Sequence, residues 1–403
     1  MRMCKPCAEM RIRMKILYLE WNSFGNEDML EAYAMLQHEV TRLPISNHIK
    51  RGDIKFEKEL TESIQSVHPD YIFTFNYFPA VSVVCNEENI PYVAWVYDSP
   101  YVQLYSFTTI YPCNYIFVFD KELALEFQRA GIQTIHYLPM AANTTRLDAL
   151  DIASFQNSNV YPKGDVSFIG SMYTEKHQFI ERMTNLDEFT RGYLDGIMEA
   201  QQHVYGYNFI EELLTTDIVT ALQKALPMEP EADRVETVEY LYAQYVINRK
   251  ITGLERTKLL TAIGEHFALD LYTPDKSLTL PGAINHGSVH HYDVAPYIFK
   301  SSPINLNISL RSIKSGMPLR IFDIMGAGGF LLSNYQADFL DYFVPGEDFA
   351  YFDSKDDMLA KIEYYTAHPI ERKEVAKNGH RKIQQDHTYV NRIITIEELL
   401  FET

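Results

Sequence analysis

Residues 311 to 335, RSIKSGMPLRIFDIMGAGGFLLSNY, hold a compact set of side chains able to do chemistry. Pro318 suits a first helical turn, where its missing N–H would have no partner anyway. Gly328-Gly329 suits a stop, so the spacing predicts a helix over 318–327. A helix start reached through Gly316 leaves free N–H groups converging on one spot, and with the helix dipole they attract phosphate. Arg320 adds a fork of donors suited to a diphosphate. Asp323 lies one turn deeper on the same face, an acceptor for a ribose diol. Together they outline a pocket for a nucleoside diphosphate. The alternative is a plain Arg320–Asp323 helix pair of ~0.2–0.5 kcal/mol, with glycines that only cap. Local chemistry leaves both open. The chain has no GxxxxGK[ST] phosphate loop and no GxGxxG dinucleotide turn.

Other candidates stand where apolar runs end. VYDSP puts Asp98 after an apolar strand, placed to act as a general base on a hydroxyl or to serve as a turn acid. Glu20, Asn22 and Gly25 follow the first strand, and Asn76 with Tyr77 follows the third. Gly170 and Ser171 follow DVSFI, where a backbone turn can approach phosphate, and Asn307 and Ser309 close INLNIS. GAINHGSVHHYD offers His286, His290, His291 and Asp293. A metal set is disfavoured there, because alternate side chains of a short strand point to opposite faces.

The elements that must position these residues alternate. From Lys15, KILYLE, HEVTRLPI, DYIFTFN, PYVAWVYD, NYIFVFD and QTIHYLP read as strands, most with amphipathic helical stretches between them. Strands that are mostly apolar throughout, alternating with helices, mean a parallel sheet covered on both faces. A second alternation opens at DVSFIGSMY and resumes with FALDLYT, GSVHHY as a strand, DVAPYIFKSS as a helix, and PINLNIS. The expected fold class is therefore α/β, two doubly wound Rossmann-like domains facing each other. The expected boundaries are a disordered leader 1–14, a first domain 15–145, a linker 146–164, a second domain 165–387 with a helical insert 175–265, and a C-terminal helix 388–403 that packs back on the first domain. Sheet edges facing each other in such a chain collect ligands.

Bulk numbers narrow the partners. At 403 residues the chain is too long for one ordinary core. A formal net charge of −18 argues against nucleic acid and acidic lipid, so an anionic ligand must be held by local groups. No apolar run approaches the ~20 residues of a membrane-spanning helix, and MRMCKPCAEMRIRMKILYLEW is no secretory signal. Cys4 and Cys7 form a lone CxxC that cannot complete a zinc site, while Cys85 and Cys113 read as core residues. The expected compartment is cytoplasmic.

SPINLNISLRSIKSGMPLRIFDIMGAGGFLLSNY, with LDYFVPGEDFAYF and ERKEVAKNGHRKIQQDHTYVNR after it, resembles the C-terminal half of CgeB-like (spore maturation protein) glycosyltransferases, relatives of the group 1 type with a GT-B fold. The likeness covers 165–403, and VAWVYDSPY and YLPMAAN extend it into the first half. It implies a nucleotide-sugar donor on the second domain, UDP-sugar favoured, and a protein or glycan acceptor on the first. Asp323 matches the acid that holds the donor ribose. Arg320, with Lys250 and Arg256 from the insert, would bind phosphate, and the loop with His290 and Tyr292 would lie near the donor base. Gly170, Ser171, Asn307 and Gly316 complete the implied donor set; Glu20, Asn22, Gly25 and Asn76 line the acceptor cleft with Asp98. Many relatives carry Glu-x7-Glu, whereas here Ser315 stands at the first position and Asp at the second. No Asp-x-Asp occurs, so transfer without a divalent ion or other cofactor is expected. Two other readings are a nucleotide-sugar epimerase of the same fold and a non-catalytic two-domain binder of sugar or nucleotide.

Overall fold

The structure, a computed structural model, describes residues 13–174 and 179–401. Most of the expected leader, with Cys4 and Cys7, lies outside the described residues. The first domain runs β1 (Lys15–Glu20), α1 (Asn26–Met35), β2 (Glu39–Pro44), α2 (Ile54–Val67), β3 (Tyr71–Phe75), α3 (Pro79–Glu87), β4 (Tyr92–Val96), β5 (Asn114–Val118), α4 (Lys121–Arg129) and β6 (Ile135–Tyr137). Its strands pair in the order β2-β1-β3-β4-β5-β6, all parallel. Side chains alternate between the two faces. Tyr18, Phe73, Phe75 and Trp95 enter one core, and Leu17, Leu19, Ile72 and Val96 the other, under α2, α3 and α4.

The segment expected as a linker holds two short helices, α5 (Thr144–Asp148) and α6 (Ile152–Phe155). The second domain opens with β7 (Val166–Ile169). The insert follows as α7 (Phe179–Arg182), α8 (Glu188–Gln202), α9 (Thr216–Ala225), α10 (Val238–Leu241) and α11 (Asn248–His266). Leu194, Ile197, Leu222, Tyr242 and Val246 give the insert a core of its own. Then come β8 (Leu269–Tyr272), β9 (Ala283–Asn285), α12 (Ala295–Ser301), β10 (Ile304–Asn307), α13 (Leu319–Gly326), β11 (Leu331–Asn334), β12 (Ala350–Phe352), α14 (Lys355–Ala367), α15 (Pro369–Asp386) and α16 (Tyr389–Phe401). The order β12-β11-β10-β7-β8-β9, again all parallel, is that of a dinucleotide-binding sheet whose strand order reverses between β7 and β10.

One expectation fails locally. GSVHHY is not a strand; the edge strand is the preceding Ala283–Asn285. Gly287, at φ +79°, turns the chain out of the sheet, and residues 286–294 form loop and turn.

The two domains share one apolar cluster that runs from α1 through Leu138–Ala142 into α12, α13 and α16. Helix α16 lies on α1. Arg392 donates to the Pro139 carbonyl at 2.7 Å, and Glu397 accepts from the Tyr71 hydroxyl at 3.2 Å and lies 3.0 Å from His38. Both α16 and the insert therefore touch the first domain, the insert through the Tyr245 hydroxyl, which accepts from the Val102 N–H at 2.8 Å. Among the described residues no helix is long and apolar enough to cross a membrane.

Candidate active site between the two sheets

At the strand-order reversal, β7 delivers Gly170 and Ser171, and β10 delivers Ile308 and Ser309. Arg256, reaching in from α11, donates to the Ser171 carbonyl at 2.5 Å and to the Ile308 carbonyl at 3.2 Å. It ties the two strand ends and holds a positive charge over the crevice. The start of α13 comes next. Pro318 is its N-cap and no side chain caps the first turn, so its first amides have no side-chain acceptor.

Arg320 sits in that first turn with its guanidinium 5.1 Å over the Phe299 ring. One terminal nitrogen, Nη1, is buried with no hydrogen-bond partner. Burial lowers the pKa of this guanidinium; Asp323 opposes the shift and Arg256 adds to it. Asp323 likewise has one carboxylate oxygen, Oδ2, buried without a hydrogen bond, 3.8 Å from His291 Nε2. A buried unpaired donor and a buried unpaired acceptor one turn apart are costly to a fold that gains nothing from them. Burial also pushes the His291 pKa down, so the ring stays neutral near pH 7 and can donate from one nitrogen and accept at the other.

An aromatic wall joins this crevice to the first domain. Phe24 lies 4.7 Å from the His291 ring and 6.3 Å from Tyr97, and Tyr97 stacks on Trp21 at 6.2 Å. Asp98 follows Tyr97. Asp98 is exposed, yet the surrounding protein raises its pKa by desolvation; the Asn76 amide, donating at 2.8 Å, pulls the other way. Asn76 also accepts from the Tyr97 and Asp98 N–H groups and holds a left-handed φ of 58°. It is therefore a positioning residue for Asp98, buried rather than facing the cleft. Glu20 is held in a bidentate pair by Arg42 at 2.6 and 2.7 Å. Asn22 is exposed, and Gly25, the N-cap of α1 at φ +87°, packs against Tyr389 and Phe75.

Several donor-side expectations need correction. Gly316 does not open onto a phosphate: a Cβ there would come within 2.8 Å of the Phe119 carbonyl and Asp120 Cα of the first domain. Ser315 and Lys314 are bound the same way, their N–H groups donating to the Asp120 carboxylate at 3.2 and 2.6 Å. Tyr292 donates to Asp28 at 2.9 Å beneath the Arg146 guanidinium, so it joins the domains instead of meeting a nucleotide base. His290 is exposed and pairs with Asp293, while its neighbour His291 faces the cleft. His286 stacks on Tyr272 and bonds Asp270. Asn307 is buried, its amide donating to Ser309 and Ser333 within the sheet edge. Lys250 pairs with Glu181 and lines a separate pocket with Met172, Tyr173 and Thr174, the residues that follow Ser171. Among the described residues no three His, Cys, Asp or Glu side chains gather around one point. The sequence singled out neither Phe24 nor Tyr97. An aromatic at the end of each of two strands was the available signal.

Comparison with known proteins places this geometry. Residues 256–398 match the family described as glycosyl transferase-like. No curated protein matches the chain by sequence. Among solved structures, sucrose-phosphate synthase from Thermosynechococcus elongatus superposes with a TM-score of 0.56 at 10% identity, over 97% of this chain and 100% of that one. HepE from Anabaena, in complex with UDP-glucose, gives 0.55 at 10% identity over the same shares. A glycosyltransferase from Rickettsia africae gives 0.52 at 10% identity, again over 97% and 100%. The fold is GT-B. The chain is thus a GT-B protein by fold, with residues 256–398 similar to the glycosyl transferase-like family.

Proposed function

We propose that the protein is a CgeB-like glycosyltransferase that moves a sugar from a UDP-sugar to a hydroxyl of a protein or glycan acceptor, without a divalent ion. The unpaired Arg320 nitrogen and Asp323 oxygen, both buried one turn apart at an uncapped helix start, carry this reading. Arg320, Arg256 and the α13 amides meet a diphosphate; Asp323 and neutral His291 meet sugar or ribose hydroxyls. The UDP and UDP-glucose held by HepE on the same fold support the choice of donor.

In the transfer, Asp98 accepts the acceptor's hydroxyl proton as that oxygen bonds the sugar's anomeric carbon. The bond from that carbon to phosphate breaks, and the electron pair leaves on the diphosphate. Charge building there is met by Arg320 and the helix dipole, in place before reaction begins. The raised pKa of Asp98 makes it a stronger base than an ordinary carboxylate.

UDP titrated by calorimetry and thermal shift tests the donor site. At ~100-fold over Kd it should add about 2.7 kcal/mol of stability, and Asp323→Ala should remove the shift. An unchanged shift in that variant would sink the assignment. Transfer that stops in excess chelator and returns with manganese would sink metal independence.

A further inference from the structure

A second space lies on the insert's side of the Asp120 contacts, away from α13. It is a cavity of about 830 Å3 walled by α4, by the insert and by the loop carrying Ser312 to Ser315. That size falls in the ~300–1,000 Å3 of small-molecule sites. Five carboxylates line it: Glu122 and Glu126 from α4, and Glu211, Glu212 and Glu239 from the insert. Lys314 neutralises Glu126, and Glu122 is drawn to Arg129. Glu211 has only a long 3.4 Å bond from Gln244, and Glu212 accepts from the Tyr207 hydroxyl. The insert wall therefore keeps its negative charge. An independent mark is Ser312, which lines the same cavity, is only 6% exposed, and has a hydroxyl with no hydrogen-bond partner. A buried hydroxyl without a partner at the wall of an open cavity points to a ligand with polar groups.

The carboxylates do not converge. Among the described residues no three acidic or histidine side chains could share a metal ion, so the charge matches cations spread along a ligand rather than one divalent ion. A narrow gap lined by Ser99, Pro100 and Ser312 adjoins this cavity, and Ser99 is the residue that follows Asp98 in the chain. We propose that the cavity binds the cationic, amine-bearing part of the acceptor, its ammonium groups lying among Glu211, Glu212 and Glu239; this rests on the glycosyl-transfer reading. Desolvation raises the Glu211 pKa, as expected of a carboxylate awaiting a counter-charge.

The test uses the full chain and two probes of one shape, a trimer of glucosamine and its fully N-acetylated form, followed by calorimetry at low salt. The glucosamine trimer should bind at least about tenfold tighter than the acetylated one, a difference of about 1.4 kcal/mol. Glu211→Gln combined with Glu239→Gln should remove that difference while UDP binding stays as in the wild type. Equal affinity for the two trimers, no binding of either, or an unaltered preference in the double variant would each overturn the proposal. Wild-type protein that fails to bind UDP would overturn the donor reading instead, whatever the trimers do.

Discussion

Ser315 and Arg320 belong to one loop-to-helix passage, yet their polar atoms end differently. Ser315 donates from its N–H and hydroxyl to Asp120, accepts from the Glu122 N–H, and its carbonyl takes the Asp338 N–H. Arg320 and Asp323 leave a nitrogen and an oxygen buried and unpaired. Saturated polar groups hold two domains in register, whereas unsatisfied ones carry a cost that a ligand or a water must return. In many of the relatives that the sequence resembles, an acid is expected where Ser315 stands. In this chain that position is a fastener, and the unpaired polar atoms lie on the helix side.

The strongest way to break this contrast is Arg320→Met. Removing a donor aimed at developing charge should lower the rate of transfer by ~10²–10³. Because Nη1 is buried without a hydrogen bond, methionine removes an unpaired donor and should cost little thermal stability. A variant that unfolds early would make Arg320 a structural residue. Asp98→Asn comes next. Losing a general base should cost ~10² in kcat, with the acid limb of the pH–rate profile lost and the Asn76 hydrogen bond kept. Full activity in Asp98→Asn would move the base elsewhere.

Which parts were legible beforehand follows from the range of the interactions. Pro318 and Gly328, the latter at φ +79°, bound α13 by local rules, so the helix and its first-turn Arg320 could be read from spacing. The two parallel sheets were legible because buried strands are nearly apolar throughout. The seam was not, since Ser315 meets Asp120 from 195 residues away and Tyr292 meets Asp28 from 264. The choice of His290 rests on the resemblance; the structure exposes it and turns His291 toward Asp323, an orientation that spacing cannot give because the segment is a turn and not a strand. Arg256 was legible only as a charged residue on a helix; its grip on both strand ends is a property of the packed fold.

Gly316→Ala sharpens the other half of the contrast. The added Cβ would press on the Phe119 carbonyl and Asp120 Cα, both 2.8 Å away. Overpacking of this kind costs ~1–3 kcal/mol, to be read from urea unfolding, with UDP affinity less affected than in Asp323→Ala. An effect on UDP affinity alone would return Gly316 to the phosphate site.

The smallest effect lies in the pH dependence of the seam. Asp338 accepts from the Lys121 N–H at 3.1 Å across the domains. Burial lifts its pKa from 3.8 to about 6, the Lys121 amide and Ser315 oppose the rise, and Asp120 and Asp341 add to it. The folded chain therefore holds this proton more tightly than the unfolded one. Its contribution to stability is full below pH 3.8 and is lost as pH rises toward 6, at about 1.4 kcal/mol per unit of displacement. Asp338→Asn keeps an acceptor for Lys121 and removes the titration. The stability of wild type relative to this variant, from urea unfolding, should fall between pH 4 and pH 7, leaving the variant the more stable at neutral pH. That fall requires Asp338 to remain dry, and it remains dry only if the Ser315 seam stays shut in solution. A flat difference across the range would mean that water reaches the carboxylate, that the domains part there, and that the saturated half of the passage is no fastener.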